Sequence, residues 1–277
     1  MTIIVGLVCR NSIVLANDSQ QSRGDSKEMT KFKIRAVEFK GGVDKILVAQ
    51  AGTAETSTAI INNMAKLASS QPMGDEDHVR ALVRQAIIQE RQRLRRHHLD
   101  CSMEELSKII FAQGLNCTLM TAFYVSDHAF LDTYDFDSGL EREREGWFRC
   151  IGIGETLANY ILREVSEPDM DDRLGRAIAV HVTDKVIQNV RDCFEPIRVA
   201  TIAPKAEFNY DGRRPPDDLV ILPEGFIDPV VVYPQTAVNE IKQAVRLIDA
   251  DTKKQTMPGF RSRMLSYAET LPRNVAS

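Results

Sequence analysis

Met1-Thr2-Ile3-Ile4-Val5-Gly6 opens the chain, Ile13-Val14-Leu15-Ala16-Asn17-Asp18-Ser19 follows, and Phe32-Lys33-Ile34-Arg35-Ala36-Val37-Glu38-Phe39 comes third. The first two apolar runs flank Cys9-Arg10-Asn11-Ser12, whose Asn and Ser favour a turn, so residues 3–16 read as a β-hairpin. A hairpin of that length returns Asp18 to the side of Thr2. The third run alternates as a strand does, and brings Lys33 to the same end of the sheet. Working outward, Lys40-Gly41-Gly42-Val43-Asp44-Lys45 reads as a turn into the strand Ile46-Leu47-Val48-Ala49. That strand runs into Gln50-Ala51-Gly52-Thr53, where a glycine lets the backbone approach a ligand closely.

These residue types carry a chemistry. A threonine hydroxyl is a weak nucleophile and needs a base. If Met1 is removed, the amine of Thr2 becomes that base, with a reference pKa of about 7.7–8.0. Lys33 supplies positive charge that lowers the amine pKa and favours an alkoxide, and Asp18 orients and balances Lys33. The Gly52 N–H is placed to donate to a tetrahedral oxyanion, a contact worth about 3–4 kcal/mol. An ordinary hairpin with a surface aspartate and a strand lysine has the same composition, and composition alone favours that plainer reading.

The rest of the chain bounds the alternatives. Its 277 residues, 43% of them hydrophobic, suit one large domain or a domain with an appendage. No apolar run approaches the roughly 20 residues of a bilayer span, and no charged segment precedes an apolar one at the start. The expectation is therefore a cytoplasmic protein with no membrane contact. A net charge of −4 argues against nucleic acid as partner. The five cysteines (Cys9, Cys101, Cys117, Cys150, Cys193) lack CxxC spacing and read as buried free thiols of a reducing compartment. No metal and no cofactor is expected.

Helices are expected from about Thr53, with Ile60, Ile61, Met64 and Leu67 on one face, and from Asp75-Glu76-Asp77, with Val79, Leu82, Val83, Ala86 and Ile87. The second ends in Arg91, Arg93, Arg95, Arg96, His97 and His98. That run reads as a solvated helix end that suits the dipole, with phosphate, an acidic partner or a subunit contact as alternatives. Adjacent His97 and His98 point in different directions on a helix and are no metal signal. Two strands are expected over 115–135, an exposed loop at Glu141–Glu145, and a strand at Trp147–Ile151. Gly152-Ile153-Gly154 is a weak dinucleotide signal because Leu157 stands where a third glycine belongs. Two more helices follow (Leu157, Tyr160, Ile161, Val165; then Leu174, Ile178, Val182, Val186), with His181 structural. Arg198–Ile202 is a late strand. Beyond it come a polar loop over Tyr210–Asp218, short strands at Leu219–Leu222 and Pro229–Tyr233, and a helix bearing Val238, Ile241, Val245 and Ile248. The last twenty residues read as an irregular arm. This order fits two antiparallel sheets stacked face to face with helix pairs outside, whereas a doubly wound sheet needs strict strand–helix alternation.

Met1-Thr2-Ile3-Ile4-Val5-Gly6-Leu7, Val14-Leu15-Ala16-Asn17-Asp18-Ser19-Gln20, Lys33-Ile34 and Ala51-Gly52-Thr53-Ala54 resemble the signature of proteasome β-type subunits. The resemblance is nearest to the bacterial ancestral β-subunit branch (Anbu) or the betaproteobacterial homologue, and it covers residues 2–204, most strongly the first 55. It implies an α+β, four-layer αββα sandwich of the N-terminal-nucleophile hydrolase type over 1–204, with 205–277 as a C-terminal extension. It also implies a threonine peptidase acting on peptide or unfolded protein within a homo-oligomeric ring or double ring. In that reading Thr2 is the nucleophile, Asp18 and Lys33 are its charged partners, and Gly52 lies in the oxyanion hole. Asp192 and Ser19 support the amine, and Gln50, Ala54 and Gln21 line a polar-floored substrate pocket. Lys31, in the same Lys-x-Lys step, is a rival to Lys33. The chain departs from the pattern at Ile153 and Glu195, which stand where the family has serines that help hold the amine and a water. A silent assembly subunit and an amidohydrolase of small molecules on the same fold are the alternatives.

Overall fold

A computed structural model describes residues 2–23, 26–29, 33–42, 44–98, 101–138, 141–142, 146–204, 230–233, 235–252 and 257–270. The apolar runs at the start form β1 (Ile3–Val8) and β2 (Ile13–Asn17), paired antiparallel with Ile4 opposite Asn17 and Val8 opposite Ile13. They are apolar but for Asn17 because they are central. β10 (Phe148–Gly152) pairs with β1, β11 (Arg198–Ile202) pairs with β2, and β12 (Val230–Val232) adds an edge to β11. Period-two alternation then divides their side chains between two cores. Ile3, Val5, Leu7, Val14 and Ala16 enter one, while Ile4, Ile13 and Leu15 enter the other.

The second sheet is also antiparallel, in the order β5 (Ile34–Glu38), β6 (Lys45–Gly52), β7 (Cys117–Val125), β8 (His128–Asp135) and β9 (Glu141–Arg142). Its Leu47, Ala49, Ala51, Met120, Ala122 and Leu131 join Ile4, Ile13, Leu15, Ile151, Ala200 and Ile202 of the first sheet in one shared core. The sheets thus pack face to face through small residues. At Gly6 an added Cβ would stand 2.7 Å from Met120 Sδ, so a larger side chain would require Met120 and Leu131 to shift. A hairpin, β3 (Gln20–Arg23) and β4 (Ser26–Met29), follows β2.

Seven helices cover the outer faces among the described residues. α1 (Ala54–Ser69), α2 (Glu76–His97) and α3 (Met103–Ala112) pack on the second sheet. α4 (Glu155–Val165), α5 (Asp172–Asn189), α6 (Gln235–Thr252) and α7 (Met257–Thr270) pack on the first. Capping fixes several starts: Asp75 accepts from the His78 N–H at 2.9 Å and Asp171 from the Leu174 N–H at 2.7 Å. The arginines ending α2 find partners within the chain. Arg91 is buried and donates to the Phe136 carbonyl, Arg93 pairs with Glu90 at 2.6 Å, and Arg95 donates to the Cys101 carbonyl. No helix among the described residues is long and apolar enough to cross a membrane.

Three expectations are corrected. α3 stands where no helix was expected; its capping box, with Ser102 and Glu105 satisfying each other's backbone N–H, holds ten residues that bury only Leu106 and Ile110. Residues 257–270 are helical, not an irregular arm, because Pro258 falls in the first turn, where no intrahelical N–H bond is lost. Met264 and Ala268, four apart, then bury on the first core. Glu141–Arg142 pairs with Thr133 and Tyr134 as a short edge strand. The expected loop at 210–218 and strand at 219–222 lie outside the described residues.

Cys9, Cys117, Cys150 and Cys193 are buried free thiols, and Cys101 is half-buried. Burial pushes the thiols of Cys9, Cys117 and Cys150 well above the ordinary range and that of Cys193 up to about 12. Native protein treated with iodoacetamide near pH 8 should therefore gain one adduct by intact mass, on Cys101, and five in denaturant. Rapid alkylation of the other four without denaturant would contradict this packing.

Candidate active site

The β1–β2 hairpin closes on itself at its open end: the Asp18 N–H donates to the Ile3 carbonyl at 3.3 Å, and the Ile3 N–H donates to Asp18 Oδ1 at 2.9 Å. Asp18 is thereby fixed against the residue that follows Thr2. Lys33 stands one position before β5, its carbonyl accepting from the Gln50 N–H, and its Nζ donates to the same Asp18 Oδ1 at 2.8 Å. The two side chains are 3% and 0% exposed. Burying such a pair is costly unless hydrogen bonds complete it. The Phe194 N–H supplies a further donor to Asp18 Oδ2 at 3.4 Å. Burial draws the Lys33 pKa below its ordinary value, and Asp18 opposes that shift.

Thr2 is buried, and its carbonyl accepts from the Ile153 N–H at 2.9 Å. Two glycines with positive φ flank it. Gly152 (φ +103) lies opposite Ile3, where a Cβ would collide with the Thr2 carbonyl. Gly52 (φ +95) ends β6, where a Cβ would stand 2.8 Å from Cys117 Cα. Between them lies a cavity of about 240 Å³ lined by Thr2, Ala51, Gly52, Gly152, Ile153 and the segment 116–118. Gly152 owes its identity to this close approach to Thr2, and its place in a Gly-x-Gly step has no part in it.

Of the residues expected from sequence, Thr2 and Gly52 meet in this cavity, and Asp18 and Lys33 pair with each other. Ser19 turns elsewhere, donating from Oγ to the Pro196 carbonyl at 2.5 Å and from its N–H to the Phe194 carbonyl. Asp192 is half-buried beside Cys193, whose thiol is pushed up to about 12 by burial first and by Asp18 next. That thiol is no rival nucleophile near neutrality. Gln50 is buried in β6 and Ala54 half-buried at the start of α1, and neither is among the lining residues of the cavity. The side chain of Gln21, and Lys31 altogether, lie outside the described residues. Ile153, which stands where the resembled family has serine, gives the cavity an apolar wall.

Asn116, Cys117 and Thr118 were not anticipated. They enter through register, Gly52 facing Cys117 across β6 and β7. Thr118 Oγ1 donates to Asp135 at 2.9 Å, and Asn116 Oδ1 is buried without a hydrogen-bond partner among the described residues. No group of three or more His, Cys, Asp and Glu is arranged to hold a metal ion among the described residues.

No protein-family model matches the sequence, and no curated protein matches it significantly. Solved structures do match the fold. The ancestral β-subunit (Anbu) from Yersinia bercovieri superposes with a TM-score of 0.65 at 13% identity, over 92% of this chain and 97% of that one. A Gly-1 mutant of Anbu from Hyphomicrobium sp. strain MC1 gives 0.57 at 16% identity, over 73% of this chain and 82% of that one. Another structure of Anbu from that strain gives 0.53 at 16% identity, with the same coverage. The fold is thus similar to that of the branch which the N-terminal motifs resemble.

Removing one partner of a buried pair strands the other. Asp18→Ala should destabilise the fold by about 3–5 kcal/mol in urea unfolding. A loss under about 1 kcal/mol, the scale of an exposed pair, would show that Lys33 does not depend on Asp18.

Proposed function

We propose that the chain is a proteasome-like β subunit of the ancestral branch, a threonine-type peptidase whose nucleophile is Thr2 after Met1 is removed. The proposed body is a four-layer αββα sandwich of the N-terminal-nucleophile type over 1–204, extended by 205–277. One observation carries the reading: Thr2 and Gly52 share a cavity, while Asp18 binds both the residue after Thr2 and Lys33.

The chemistry follows from those positions. The freed Thr2 amine takes the Oγ proton as Oγ attacks the substrate carbonyl carbon. The oxyanion that forms accepts from the Gly52 N–H, and positive Lys33 favours the charge on Oγ during attack. Collapse of the tetrahedral species breaks the C–N bond, and the amine's proton leaves with the departing amine. An acyl-ester remains on Thr2. Water, deprotonated by the same amine, then hydrolyses it to a carboxylate and restores the hydroxyl.

Self-association into a ring fits the large apolar side chains left outside, Phe111 at 81%, Leu247 at 70% and Tyr160 at 66% exposure. The free thiols fit a reducing cytoplasm. Ile153 and Glu195 favour a second reading, an assembly subunit of the same ring with its chemistry silenced.

An α,β-epoxyketone consumes both a hydroxyl and an amine, so it should add to Thr2 of protein shown by mass to lack Met1, and Thr2→Ala should abolish the adduct. Absence of labelling on such protein leaves the silent subunit, and a monomeric native mass removes the ring. The labelling rate should rise with pH as the amine deprotonates. It should fall again as Lys33 loses its proton, at a pH below the ordinary lysine value of 10.5 because burial disfavours the ammonium. A rate that stays flat to that value would contradict a role for charged Lys33.

A further inference from the structure

Glu195 stands where the resembled family has a serine, and the structure gives it another task. Its Oε1 accepts from Lys242 Nζ and, at 3.4 Å, from Arg246 Nη2, both on α6. Arg246 also holds Asp184 of α5 in a two-pronged contact, Nε to Oδ2 at 2.7 Å and Nη2 to Oδ1 at 2.6 Å. Lys242 Nζ lies 3.8 Å from the same Asp184. Lys242 and Asp184 are 9% and 5% exposed, so half of this quartet is shielded from screening. Lys242 and Arg246 are one helical turn apart and reach the loop from one face of α6.

The neighbours of Glu195 in sequence face the other way. The Phe194 N–H donates to Asp18 Oδ2, the Phe194 carbonyl accepts from the Ser19 N–H, and the Pro196 carbonyl accepts from Ser19 Oγ. Residues 194 and 196 grip Asp18 and Ser19 with their backbones, while the side chain between them is held by α6. The contact from Phe194 to Asp18 is long at 3.4 Å, so a small retreat of the loop breaks it.

We propose that Lys242 and Arg246 are positioning residues: through Glu195, α6 presses the loop 193–196 against Asp18 and so sets the carboxylate that orients Lys33. The proposal rests on the peptidase reading for its catalytic consequence and on geometry alone for the clamp. It assigns the C-terminal segment a part in the chemistry at Thr2, about which the N-terminal motifs say nothing.

Amide hydrogen exchange and epoxyketone labelling on the full chain, with a Lys242→Met/Arg246→Met variant, test the two parts separately. Charge-assisted contacts of this kind are strong, so exchange at Ser19 and Phe194 should quicken about tenfold while β6 and β7 stay protected. The maximal labelling rate should fall by about the same factor with the reagent's half-saturating concentration unchanged, and Lys242→Arg alone should keep the rate near that of the parent. If the double variant does not fold, Arg246→Gln, altering a half-exposed side chain, should show both changes more weakly. Unchanged exchange at Ser19 and Phe194 overturns the clamp. Faster exchange with an unchanged labelling rate overturns the positioning role and leaves a structural strut. If the parent itself is not labelled, the peptidase reading fails, and exchange at those two amides alone decides the clamp.

Discussion

Asp18 Oδ1 accepts from the Ile3 N–H and from Lys33 Nζ, and the arrangement of the site depends on that one oxygen. Asp18 follows β2 in the first sheet, and Lys33 precedes β5 in the second. The pair therefore joins the two sheets where their shared core ends. A carboxylate with no exposure needs such donors, since an unpaired charge there costs several kcal/mol or neutralises. Small residues make the meeting possible. Gly6, Ala49, Ala51, Ala122 and Ala200 lie between the sheets, and bulk there would draw Lys33 out of reach.

The two flanking glycines impose the second constraint. Gly52 and Gly152 come from different sheets, and both hold positive φ where a side chain would strike backbone. Gly152 brings its peptide against the Thr2 carbonyl, and Gly52 lets the end of β6 close on Asn116 and Cys117. The cavity between them is lined by Ile153 and Asn116 together with the smaller Thr2, Ala51, Cys117 and Thr118.

Much of this was legible in the sequence, for a physical reason. The first hairpin is local, its turn chemistry sets its length, and its length sets where Asp18 lands. Arg198–Ile202 forms the expected strand, its β-branched Val199, Thr201 and Ile202 suiting a central position in the sheet. Asn116–Thr118 were not legible as site residues, because only the register of β7 on β6 brings them to Gly52. α3 left a readable capping box at Ser102 and Glu105, but a helix that buries only two residues has little periodicity to show. Pro258-Gly259 pointed to an irregular arm, yet a proline in a first turn breaks nothing. Glu195 could be seen as a missing hydroxyl, but its partners lie 47 and 51 residues onward, on a helix whose packing no local pattern reveals.

The proposed chemistry passes through an ester at Thr2, and trapping that ester tests it most directly. Protein lacking Met1 is mixed with a peptide amide substrate, quenched in acid during turnover, and mapped by mass. The substrate's acyl mass is expected on Thr2, held as an oxygen ester that survives acid and is cleaved by alkali. Turnover with Thr2 unmodified, or with the acyl group on any other residue, would contradict it.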